Sequence, residues 1–152
     1  MKSLPKWALI GISIAILAGV IGMVSQFAEK SFIYAQGEVF LPPELEEKAA
    51  GIRTLFIVVY DTANPAPMPY GAIRMHLSQD PKGSFHKFVI TKDNLQVMRP
   101  SHRIPKTLRI KARLDRSGTA GMDAPGDIVG EILPVKTGST DVRITVNKLI
   151  DS

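Results

Sequence analysis

Residues Thr107 to Gly118 read TLRIKARLDRSG. Leu108, Ile110, Ala112 and Leu114 fall on one side of an extended chain, and Arg109, Lys111, Arg113 and Asp115 on the other. A period of two marks a strand with one face on a core and one in water, because successive side chains point to opposite sides. It also locks register, since a slip of one residue would drive three cations into the core. A chain holding such a strand is committed to an antiparallel sheet, and the apolar face of that sheet needs a second layer to cover it.

Other segments agree. Leu55 to Tyr60, LFIVVY, is a continuous β-branched and aromatic run and predicts a buried central strand. In GAIRMHL, Ile73, Met75 and Leu77 alternate with Arg74 and His76. FHKFVIT follows the turn residues DPKGS, NLQVM is a weaker candidate, and GEVFL, GDIVGEILPV and DVRITVNKLI complete the set, with Val142, Ile144 and Val146 inward. DRSGTAG, DAPGD and KTGST supply turns. After residue 50 no helical pattern exceeds a couple of turns. The 152 residues suit one domain plus a small extra element. The expectation is a mainly β chain: a Greek-key β-sandwich of seven or eight strands over residues 37–152, with a partly open barrel as the alternative.

The small extra element is the amino-terminal run. Trp7 to Ala28 carries no charge and follows Lys2 and Lys6. At about 1.5 Å per helical residue it is long enough for a ~30 Å hydrocarbon core. The positive-inside rule then puts residues 1–6 in the cytoplasm, a single transmembrane helix over 7–28, a linker over 29–36 and the remainder on the outer side. A cleaved signal peptide would have a shorter apolar region and a small-x-small cleavage site, and Gln26 breaks that pattern before Ala28. Gly11, Ala15 and Gly19 form a small-residue stripe suited to close helix packing, although small residues are common in such segments generally.

The chain has no cysteine. That excludes disulfide frameworks, thiolate metal sites, covalent haem attachment through CxxCH, cysteine nucleophiles and the usual blue-copper centre. His76, His86 and His102 belong to no GxSxG or HExxH motif. GTAG and GDIVGE do not open a helix after a strand, and the glutamates of PPELEEK read as a solvated face. No catalytic residue, cofactor or metal is expected. Met68, Met75, His76, Met98, His102 and Met122 are the soft ligands a copper site would use, but no pair has a metal-binding interval, and Met75 lies on the apolar side of its strand.

What remains is binding. Pro65, Pro67 and Pro69 stiffen the stretch NPAPMPYG. It serves either as a crossover of low loop entropy or as a rigid lip presenting Met68 and Tyr70. From Lys82 to Arg116 there are ten Lys/Arg and two acids, Asp93 and Asp115, in a chain of net charge +5. Nucleic acid is set aside, because the domain is read as exported and no aromatics are interleaved for base stacking. Anionic lipid headgroups, an acidic protein surface, the propionates of a partner's haem, or a solvated sheet face all fit the imbalance.

Two longer stretches carry a resemblance. In Gly37 to Arg74, GEVFLPPELEEKAAGIRTLFIVVYDTANPAPMPYGAIR, the residues Gly37, Val39, Leu41, Pro43 and Leu45 precede Pro67, Met68, Pro69, Ala72 and Arg74. Ile110 to Gly138 reads IKARLDRSGTAGMDAPGDIVGEILPVKTG. Both resemble the C-terminal extracytoplasmic domain of the cytochrome c maturation proteins that present apocytochrome to the haem-ligation machinery (the CcmI or CcmH type). The likeness runs over residues 37 to 148. It implies a β-rich domain on the outer face of the bacterial inner membrane, in the periplasm. Such proteins carry two membrane helices and tetratricopeptide repeats before this domain, and the repeats are credited with gripping apocytochrome; this sequence offers one span and no repeats.

The expectation is therefore a single-pass accessory protein of cytochrome c biogenesis. It would bind apocytochrome c or a haem-ligation component through Met68, Tyr70, Arg74, Arg109, Lys111 and Arg113. The alternatives are a structural or assembly subunit of a membrane-bound respiratory complex, and a periplasmic copper-binding domain.

Overall fold

The computed structural model of the chain describes residues 31–64, 68–98 and 103–151. The span expected over 7–28, with Gly11, Ala15 and Gly19, and the segment 1–6 lie outside the described residues. Among the described residues no helix is long and apolar enough to cross a membrane.

The strands are β1 (Ile33–Leu41), β2 (Thr54–Asp61), β3 (Gly71–His76), β4 (Gly83–Thr91), β5 (Gln96–Val97), β6 (Thr107–Asp115), β7 (Ile128–Lys136), β8 (Ser139–Thr145) and β9 (Lys148–Leu149). A 3-10 turn over Pro43–Leu45 and a single helical turn, α1 (Glu46–Ala49), join β1 to β2. One sheet has the order β4-β1-β8, the other β5-β3-β2-β6-β7-β9. The chain is thus mainly β in two sheets, as the alternation predicts. Its longer strands match the expected count; β5 and β9 are two-residue additions at the edges of the larger sheet.

The core lies between the sheets. Leu55, Ile57 and Val59 of β2 and Leu108, Ile110, Ala112 and Leu114 of β6 are fully buried, facing Val39, Leu41, Ile90 and Ile144 from the smaller sheet. Each large aliphatic side chain so placed contributes about 1.5–3 kcal/mol relative to exposure. Burial on both sides of every second residue is what the period of two encodes.

Three details depart from the sequence reading. β1 begins at Ile33, inside the 29–36 segment expected to be a linker. The reason is Tyr34 and Ala35, both buried; the Tyr34 hydroxyl lies 3.1 Å from that of Tyr70. β1 pairs with β8 in parallel, with Gly37 opposite Val142. DVRITVNKLI, read as one strand, is two: Val146 N donates to Phe40 O in the smaller sheet, and Asn147 N to Val129 O in the larger. The chain changes sheets at this step, and its backbone crosses directly over Gly130, where a Cβ would lie 1.9 Å from the Thr145 carbonyl oxygen.

The register places the two ends of the sandwich. Ile33 pairs with Thr91, Ala35 with Ser139, Asp61 with Leu108, Gly71 with Val97 and Thr107 with Lys136. One end therefore gathers residues 31–32, 62–64, 68–70, 92–98, 103–106 and 137–138. The opposite end gathers the 42–53, 77–82 and 116–127 connections.

Candidate binding groove on the larger sheet

The outward residues of β2 are Phe56, Val58 and Tyr60. Val58 sits between Ala72 on β3 and Lys111 on β6. These side chains floor a groove of about 490 Å³. Pro69 and Met98 bound it on one side, and residues 120–123 of the 116–127 loop on the other. Met98 and Met122 are exposed, and Met68, beside Pro69, is exposed as well. Thioethers adapt to irregular apolar surfaces, so methionines on the rim of an aromatic floor suit a side-chain-binding groove.

The expected basic row lies here, but it is not a free cationic surface. Arg109 is ion-paired to Glu131 at 3.0 Å and its guanidinium stacks 3.9 Å from the Tyr60 ring centroid. Lys111 Nζ lies 2.5 Å from Asp123 Oδ2. Arg113 is 5% exposed, not on a wet face. Its Nη1 donates to Gly121 O at 2.6 Å, and its guanidinium lies over Phe56. Three carboxylates surround it: Asp115 at 3.1 Å, Asp123 at 3.6 Å and Asp127 at 4.0 Å. Its Nε lies within ion-pair distance of Asp115 but makes no directed hydrogen bond.

The physical cause is the loop. Asp115 accepts from Gly118 N and Ser117 Oγ, and Asp127 from Arg116 N and Ala124 N. Residues 116–127 are thereby folded back over the end of β6, which buries the last turn of its polar face. Arg74 reaches the same loop, with Nη2 donating to Gly118 O at 2.9 Å. Arg74, Arg109, Lys111 and Arg113 thus converge on one face, each with a partner. Charge count along the sequence did not reveal this, because Asp123, Asp127 and Glu131 lie beyond the basic stretch.

Tyr70 stands elsewhere. It is 8% exposed and packs edge-on against Tyr34, so it belongs to the core rather than to an exposed lip. Burial, with Tyr70's hydroxyl alongside, pushes the Tyr34 phenol well above its ordinary range. Phe56, Val58 and Tyr60 were hidden in the sequence by LFIVVY, whose outward face is as apolar as its inward one.

Of the soft ligands, Met98 and Met122 border the groove with Met68 beside it, and His76 lines a separate hollow. Met75 packs partly buried against the core, and His102 lies outside the described residues. Among the described residues no group of three or more His, Asp or Glu side chains is arranged to hold a metal ion.

A second, polar hollow of about 510 Å³ is lined by His76, Asp80, Lys82, Ser84 and His86 among others. Asp80 is held below the usual carboxylate range by Arg53, which bonds it at 2.6 Å, and by Gly51 N. Burial of His86 lowers its imidazole from the ordinary 6.5. Folding therefore favours the neutral ring. Its stabilising share is complete above the ordinary value and is lost as pH falls below it. We expect the melting temperature to drop between about pH 7 and pH 5, and the drop to shrink in His86→Gln; equal drops in both would show that His86 does not cause it.

The profile of the cytochrome c-type biogenesis protein H Ig-like domain matches residues 35–147. The chain belongs to this family. The match runs from within β1 to just before β9, hence over eight of the nine strands and the whole groove. No curated protein and no solved structure matches the chain. Membership bears out the resemblance drawn from residues 37 to 148 and places the Ig-like domain in cytochrome c biogenesis.

Proposed function

We propose that this Ig-like domain is a non-catalytic accessory module of cytochrome c maturation. It is held at the outer face of the inner membrane by residues 7–28, and it binds apocytochrome c or a haem-ligation component in the groove on its larger sheet. The supporting observation is the groove itself: an apolar floor of Phe56, Val58, Tyr60 and Ala72, a methionine rim, and cations already neutralised by their neighbours. A rim whose cations are mostly matched to carboxylates suits an uncharged polypeptide segment that offers both donors and acceptors, with apolar side chains inserted into the floor. Arg74, Arg109 and Lys111 contact the partner at the rim, with Met68 on the adjoining lip. Tyr70 acts from the core, and Arg113 from beneath, by holding the loop.

The test is titration of the full-length chain, in detergent micelles, with labelled apocytochrome polypeptide. Val58→Asp places a carboxylate in the middle of the floor, where the neighbouring cation, Lys111, is already held by Asp123, and is expected to weaken binding at least about tenfold, the penalty of burying a poorly compensated charge. Unchanged affinity in a folded Val58→Asp chain would remove the groove from the reading. Absence of binding to apocytochrome and to haem-ligation components alike would remove the reading itself.

A further inference from the structure

One end of the sandwich combines exposed apolar side chains with cations. Phe32, Ile33, Met68, Val97 and Ile104 are all more than a third exposed, and all lie in or beside the segments gathered at that end. Lys92, Lys106 and Lys136 are exposed among them, with Asp93 the one acid in the described residues of those segments, and none of the three lysines makes an ion pair among the described residues. The contrast with Arg109, Lys111, Arg113 and Arg143 is direct, because each of those is matched to a carboxylate.

The opposite end has the other character. Its three connections hold six acids, Glu44, Glu46, Glu47, Asp80, Asp123 and Asp127, against four cations, Lys48, Arg53, Lys82 and Arg116, and Met122 is its one strongly exposed large apolar side chain among the described residues. Charge and apolar exposure are therefore polarised along the strand axis.

The chain also enters the fold at the apolar, cationic end. Ser31 leads straight into β1, with Lys92 N donating to Phe32 O at 2.9 Å. The thirty residues before it, including the uncharged run from Trp7 to Ala28, are joined there. At most about 3.5 Å per residue separates Ala28 from Phe32.

We infer that this end of the sandwich docks onto the surface of an anionic lipid bilayer. Phe32, Ile33, Val97 and Ile104 enter the interfacial region, and Lys92, Lys106 and Lys136 lie against the headgroups. The chemistry is that of peripheral membrane binding: apolar side chains that reach the acyl boundary, plus cations attracted to the negative surface within a Debye length of about 8–10 Å. A bilayer suits an end assembled from separate connections, because a planar surface needs no continuous groove to bind. The inference rests on the reading that residues 7–28 anchor the chain. It adds an orientation: the larger sheet, with its groove, stands upright from the membrane.

The absence of cysteine makes the test clean. Full-length chains carrying Val97→Cys, Ile104→Cys or Met122→Cys are labelled with an environment-sensitive dye and reconstituted in vesicles of phosphatidylcholine with about one-third phosphatidylglycerol. Nitroxide lipids are expected to quench the dye at 97 and 104 at least about twofold more than the dye at 122. The quenching at 97 and 104 is expected to fall to the level at 122 in Lys92→Glu/Lys106→Glu/Lys136→Glu, and in salt high enough to shorten the Debye length to about 3 Å. Retention of the chain after an alkaline wash reports the anchor separately. A chain that washes off overturns both readings. A chain that stays, with all three dyes quenched alike or with quenching indifferent to charge and salt, overturns the docking and leaves the anchor standing.

Discussion

Arg113→Ala is expected to destabilise the domain by about 3–5 kcal/mol, the usual cost of removing one partner from a buried ion cluster. Asp115 and Asp127, 2% and 1% exposed, would be left without their cation. Both carboxylates also hold the 116–127 loop through backbone N–H groups, so the loss spreads to the far wall of the groove. The guanidinium also fills space above Phe56 and donates to Gly121 O, neither of which a methyl group replaces. Arg113→Lys keeps the charge but loses the planar fork, and should recover only part of the difference. Arg109→Ala is the comparison: its ion pair with Glu131 is largely solvated, and its cost should stay near or below about 1 kcal/mol. Urea titration of the full chain in detergent, followed by far-ultraviolet circular dichroism, measures all three. An Arg113→Ala cost no larger than that of Arg109→Ala would show that the cluster does not hold the loop.

Gly130→Ala and Gly37→Ala are expected to cost more than about 3 kcal/mol each, beyond the usual range of overpacking because the obstruction is backbone. At Gly130 the new Cβ would lie 1.9 Å from Thr145 O, 2.6 Å from its carbonyl carbon and 2.8 Å from Val146 Cα. At Gly37 it would lie 1.8 Å from Val142 O. Neither obstacle is the end of a flexible side chain. Relief requires moving β8, at its parallel seam with β1 in one case and at its crossover between sheets in the other. Gly138→Ala separates this close-approach effect from ordinary backbone strain. Gly138 has φ +93° but nothing within 4 Å of a built Cβ, so its replacement should cost only about 1–2 kcal/mol. Thermal unfolding of the three variants ranks them. Gly130→Ala and Gly37→Ala melting with Gly138→Ala would contradict the packing described here.

Residues 107–115 announced their strand, its register and its inward face, because one side of β6 really is core and nearly all of the other is polar. Val142, Ile144 and Val146 were legible for the same reason. The groove was not. Phe56, Val58 and Tyr60 look like core in the sequence, since a groove floor and a sheet interior use the same side chains. Arg113 looked like surface, because the loop that buries it comes after it, and its three aspartates are matched by folding rather than by spacing. Tyr70 looked like part of a lip, because nothing local reveals a hydroxyl partner 36 residues earlier. The parallel seam of β1 with β8 depends on a contact across about 100 residues, which no periodicity encodes. Motif likeness over 37–148 reached the family where residue chemistry alone stopped at a reagent-free binding module.

The proposed role is tested most directly by photocrosslinking in cells that make a c-type cytochrome. A benzophenone amino acid is placed at Met98 or Met122 on the groove rim, or at Val89 on the smaller sheet, which is also exposed. We expect adducts with apocytochrome or a haem-ligation component from positions 98 and 122 and none from 89. Adducts from 89 alone, or adducts at the rim that contain neither kind of protein, would contradict it.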